Sequence, residues 1–69
     1  MSHDIEHALA AAQKNLMAGQ LDDAASLLHG ILASVPDHSE ALSGLGYIAA
    51  EQGDHARAAE FLSMASQWG

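Results

Sequence analysis

The chain has 69 residues, nine acidic against two basic side chains, a formal charge of −7 and no cysteine. A chain this short makes one domain at most and buries only about 60% of its unfolded surface, with neither a disulfide nor a thiolate metal site to help it. Lys14 and Arg57 cannot build a phosphate-neutralising patch, which argues against nucleic acid and against an anionic membrane surface. The acidity serves solubility and steering, and it favours a basic partner. Apolar residues make up 49% of the chain but aromatics only 4%, and alanine leads the apolar set. The expected core is therefore thin, built of helices that approach through small side chains. No apolar run approaches the roughly 18 residues of a membrane span. The N-terminus lacks the basic-then-apolar order of a secretory signal, so the expected location is the cytoplasm.

Taken in order, Ser2 with Asp4 and Glu6 reads as a helix start, a hydroxyl cap with acids in the first turn. Ile5, Ala8, Leu9, Ala12 and Leu16 then recur at helical spacing, which predicts a first helix over about residues 3–18, ended by Gly19. Asp22 and Asp23 suit the start of a second helix, and Ala24, Leu27, Leu28, Ile31, Leu32 and Val35 form its wide apolar stripe. Pro36 biases Val35 away from helical geometry and stops that helix near residue 34. Ser39 or Asp37 is the expected cap of a third helix, with Glu40 in its first turn and Leu42, Leu45, Ile48 and Ala49 as its buried stripe. Gly44 and Gly46 inside it cost about 1 kcal/mol each against Ala, and the close approach of a neighbouring helix would compensate. Gly53 ends the third helix and Asp54 caps a fourth over about residues 55–67, whose stripe is Ala58, Ala59, Phe61, Leu62 and Ala65.

These segments repeat. Gly19, Ala24, Ala25 and Leu28 recur as Gly53, Ala58, Ala59 and Leu62, each 34 positions later, and Phe61 follows Leu27 as a large apolar match. A period of that length marks a helical repeat architecture. Leu45-Gly46, Gly53, Ala58, Leu62 and Ala65 in the second unit, with Gly19, Ala24, Leu28 and Pro36 in the first, resemble the tetratricopeptide repeat. In the first unit Ala8, Ala11 and Ala12 stand where the signature prefers a large residue, Leu and Gly, and Asn15 and Ala49 stand where Tyr is common. The resemblance spans nearly the whole chain. It implies an all-α fold of two antiparallel helix-turn-helix repeats, four helices in a short right-handed superhelix, within a single domain of residues 1–69. Repeat one covers about residues 3–36 and repeat two about 37–69.

The resemblance further implies a protein-binding scaffold whose groove is lined by the first helix of each pair. Carried onto this chain, the groove residues are Leu9, Gln13, Leu16 and Met17 with Glu40, Ser43, Tyr47 and Glu51, joined by Glu6 and Ala50. A sub-class that clamps C-terminal carboxylates uses Lys and Asn there; Leu9, Gln13 and Gly44 supply no cation. An apolar patch of Leu9, Met17 and Tyr47 rimmed by acids suits a short amphipathic or basic peptide instead. Arrays of this kind generally want three units, and the copies diverge at their ends, where Met64 and Trp68 replace Gly30 and Ser34. Phe61, Met64 and Trp68 are therefore the expected self-association surface, in the simplest case of a symmetric dimer.

His3 and His7 lie four apart on one helical face and are the weak candidates for a metal site. His29, His38 and His55 are scattered over other elements. No serine sits in a strand-turn-helix elbow, no phosphate loop is present, and adjacent acids such as Asp22 and Asp23 diverge around a helix. Neither catalysis nor a cofactor is expected. Two further expectations compete with an interaction module. One is a small acidic secretion or assembly chaperone; the other is a metal-binding or pH-sensing helical protein.

Overall fold

Four helices make up the described chain: α1 (Ser2–Met17), α2 (Leu21–Ser34), α3 (Ser39–Glu51) and α4 (His55–Trp68). The structure, a computed structural model, describes the backbone of residues 2–68 and the side chains of residues 4–67. The expected cap at Ser2 thus lies outside the described side chains, and no strand occurs among the described residues.

The same turn is made twice. Gly19 and Gly53 take φ of 78° and 82°, the left-handed region that costs an L-residue roughly 1–2 kcal/mol. Around the first, Gln20 N–H donates to the Asn15 carbonyl (2.8 Å) and Gly19 N–H to that of Leu16 (3.2 Å). Around the second, Asp54 N–H donates to Ala49 (2.8 Å) and Gly53 N–H to Ala50 (3.1 Å). These paired bonds satisfy carbonyls that a helix end leaves open and turn the chain back on itself. Between the units, Val35 is extended (φ −130°, ψ 85°) ahead of Pro36, and its N–H closes the last turn of α2 on Ile31.

The start of α3 corrects one expectation. Its cap is neither Ser39 nor Asp37 but His38, whose side chain accepts from Ala41 N–H through Nδ1 at 3.2 Å. Asp54 does cap α4, its Oδ1 accepting from Arg57 N–H at 3.1 Å. The acids of the first turn of α2 follow Gln20, which supplies no side-chain bond.

α1 packs on α2 and α3 on α4, the two pairs meet along α2 and α3, and α1 also touches α3. Ala12, Ala24, Leu28, Ile31, Ala41, Leu45 and Ile48 form one buried cluster, with Phe61 of α4 packed against it. Among the described residues nothing polar is buried. The close approach expected at the internal glycines is present at both. A Cβ on Gly44 would stand 2.7 Å from Leu28 Cδ1, and one on Gly46 would stand 2.9 Å from Leu62 Cγ and 3.4 Å from the Ala58 carbonyl. Gly44 thus lets α2 and α3 meet across the unit boundary, and Gly46 lets α3 and α4 meet within the second unit.

The two units differ where α4 lacks the neighbour that α2 has. Leu28 lies between α1 and α3 and is 1% exposed; its counterpart Leu62 is 48% exposed. Ala25 is half-buried while Ala59 is exposed, so only Ala58 and Ala65 of the stripe expected on α4 are buried.

Candidate protein-binding site

Two open clefts run between α1 and α3. The smaller, about 300 Å³, is lined by Leu9, Ala12, Gln13 and Leu16 of α1, Leu28 of α2, and Ser39, Glu40, Ser43 and Gly44 of α3. It brings together Leu9, Gln13, Leu16, Glu40 and Ser43 of the groove expected from sequence. Met17, Tyr47 and Glu51 lie outside it. Met17 is 89% exposed and Tyr47 49% exposed, and neither walls the cleft.

The larger cleft, about 720 Å³, opens at the end of the molecule where α1 and α3 begin and α2 stops. Ile5, Leu9 and Val35, all half-buried, give it an apolar floor, and the exposed Asp4, Glu6 and Glu40 surround that floor. Ser34 and His38 complete the lining. His38 is held there by its capping bond to Ala41. Leu9 and Glu40 line both clefts, which therefore adjoin along the channel between α1 and α3. Of the larger cleft only Glu6, Leu9 and Glu40 belong to the groove read from sequence. Val35 and His38 sit in the connection between units, off the first-helix stripe. A signal for this mouth did exist: Glu6 and Glu40 are 34 positions apart, so the repeat places them at matching points of α1 and α3.

Of the residues expected at a self-association surface, Phe61 and Met64 are described, and they differ in burial. Phe61 is half-buried against the protein's own core, Met64 is 39% exposed, and the side chain of Trp68 lies outside the described residues. Met64 with Ala59, Glu60 and Ser63 borders a shallow cleft on the outside of α4. His7 is exposed, and its expected companion His3 lies outside the described side chains. Among the described residues no three His, Asp or Glu side chains converge as a metal site would require. No described helix is long and apolar enough to cross a membrane.

Antiparallel helix pairs repeated at a 34-residue period, with glycine turns in register and a channel along the first helices, define a helical repeat protein. The family profile described as tetratricopeptide repeat matches residues 9–68, and the chain belongs to that family. Repeats of this family generally mediate protein–protein interaction, on a scaffold that is in general not catalytic. No curated protein and no solved structure matches the chain significantly.

Proposed function

We propose that this protein is an adaptor that holds a segment of another protein in the channel between α1 and α3. The observation that supports it is the convergence of Leu9, Gln13, Leu16, Glu40 and Ser43 on one open cleft, apolar at its base and polar at its edges. Such a surface orients a chain by a few polar contacts while side chains fill the floor. A pull-down from the native extract tests it, with wild type beside Ser43→Arg, which fills the cleft, and Ser26→Arg, on the exposed side of α2. The expected result is loss of the retained protein with Ser43→Arg alone. Equal retention by all three proteins would refute a partner in the channel.

Self-association through α4 is the second part of the proposal. It is supported by Leu62, half-exposed at a position whose counterpart Leu28 is buried by the next helix.

A further inference from the structure

We infer that His38 is a proton-sensitive fastening of α3: its neutral ring holds the first turn of that helix, and on protonation the ring leaves the helix start and loosens the end of the channel that this turn lines. This goes beyond the proposed function, because it concerns the shape of the channel whatever occupies it.

The backbone of His38 ties the two repeat units together. Its N–H donates to the Val35 carbonyl at 3.1 Å, where α2 has just ended, and its carbonyl accepts from Leu42 N–H at 3.0 Å inside α3. Its side chain adds the cap, Nδ1 accepting from Ala41 N–H at 3.2 Å. An imidazole nitrogen that accepts carries no proton, so the neutral ring has its proton on Nε2. Protonation makes both ring nitrogens donors, and the cap is then lost. It also places a cation against a helix N-terminus, which carries roughly half a positive charge. Loss of the acceptor and repulsion by the helix end act in the same direction. The cap therefore stabilises the start of α3 on the alkaline side of the imidazole titration, and it is lost as the solution is acidified.

The displaced ring has room. His38 is half-buried on the lining of the cleft of about 720 Å³. The groups that share this lining come from three helices: Asp4 and Glu6 of α1, Ser34 at the end of α2, and Glu40 of α3. Asp37 is its neighbour in the chain, and neither Lys14 nor Arg57 stands on the lining. Asp4 and Glu6 hold interactions of their own, and the displacement requires no pairing with either; release from the helix start is sufficient. Ser39 and Glu40, the first residues after His38, line the smaller cleft, and Glu40 lines the larger one as well. A loosened first turn of α3 thus alters the channel on both sides.

His7, His29 and His55 are exposed and gain charge over the same range, between about pH 5 and 8, so the test needs a control inside the molecule. Asp54 supplies it, capping α4 on Arg57 N–H at 3.1 Å without an imidazole. Two measurements on the isotopically labelled protein follow. Long-range proton–nitrogen spectra of the ring should show neutral His38 protonated on Nε2; a neutral ring protonated on Nδ1 would overturn the inference. Amide exchange at Ala41, corrected for its intrinsic pH dependence, should lose protection about fivefold between about pH 7.5 and about pH 5.5, the scale of one lost cap, while Arg57 keeps its own. His38→Asn, which retains a capping acceptor and does not titrate, should hold the protection of Ala41 unchanged across that range. Equal losses at Ala41 and Arg57 in the wild type, or the same loss at Ala41 in His38→Asn, would overturn the inference by assigning the effect to the general change of charge. Unchanged protection at Ala41 in the wild type would overturn it as well. Should His38→Asn fail to fold, the comparison of Ala41 with Arg57 within the wild-type chain still decides.

Discussion

The glycines inside α3 separate two energetic effects that sequence statistics combine. An alanine at either position gains up to about 1 kcal/mol of helix propensity, so only the neighbour decides the sign. At Gly44 the neighbour is Leu28, 1% exposed and enclosed by α1 and α3. It cannot move without disturbing the centre of the cluster, and overpacking a core costs about 1–3 kcal/mol. At Gly46 the neighbours are Leu62, close through its Cγ as well as its Cδ2, and the Ala58 carbonyl; Leu62 is half-exposed, so it has solvent on one side to give way into. Gly44→Ala should therefore lower stability by about 1 kcal/mol or more, and Gly46→Ala should lower it by less. Urea unfolding of the two variants beside wild type measures the difference. A Gly46→Ala variant less stable than Gly44→Ala would show that Leu62 is fixed, not free to rotate.

At the scale of elements, α2 and α4 form an internal comparison, because one register of sequence is placed in two environments. Leu28→Ala empties a site closed on both sides and should cost about 2–5 kcal/mol. Leu62→Ala removes a side chain already half in water and should cost about 1 kcal/mol, in proportion to the smaller apolar area it buries. A domain of this size shifts its melting temperature by about 4–8 °C per kcal/mol, so thermal unfolding resolves the pair. Equal losses would mean that Leu62 is covered in solution by something besides α3. The same comparison marks what the sequence could reveal. Turns were legible because Gly19 and Gly53 carry a backbone requirement that few other residues meet, and the 34-residue echo gave the pairing of helices. Gly44 and Gly46 announced close contacts by their cost alone. His38 was not legible as a cap, since imidazole ranks below Ser and Asp by propensity; it prevails here because its Nδ1 reaches Ala41 N–H. Burial along α4 was misjudged at Ala59 and Leu62 because an apolar stripe does not say whether a neighbour exists to cover it. The mouth of the channel was half legible: Glu6 and Glu40 share a repeat position, but Val35 reaches the cleft only through the bend ahead of Pro36.

For the whole molecule the question is how its two ends meet solvent, and they do so differently. On α1 the exposed His7, Ala10, Ala11 and Lys14 stand one repeat before Ala41, Gly44, Leu45 and Ile48. In α3 those positions form the seam with α2, where Ala41, Leu45 and Ile48 belong to the buried cluster and Gly44 meets Leu28. A head-to-tail stack of copies would press Lys14 and His7 into the places that Ile48 and Ala41 occupy, burying charge without a partner. The outer end of α4 retains Leu62 beside the small Ala59 and Ser66, which permits close approach of another helix. Self-association should thus be isologous, α4 against α4 of a second copy, and closed at the dimer. It should be weak, because covering the exposed part of Leu62 is worth only about 1 kcal/mol per copy. Two chains of charge −7 repel, so added salt should strengthen the dimer rather than weaken it. Sedimentation equilibrium into the high micromolar range is the measurement. Leu62→Ser should shift the protein to monomer, and Lys14→Glu should leave its state unchanged apart from a small loss from added charge. Greater loss with Met64→Ser than with Leu62→Ser would move the interface to the flank of α4 that carries Phe61 and Met64. A monomer at every concentration, with a melting temperature unchanged on dilution, would refute self-association.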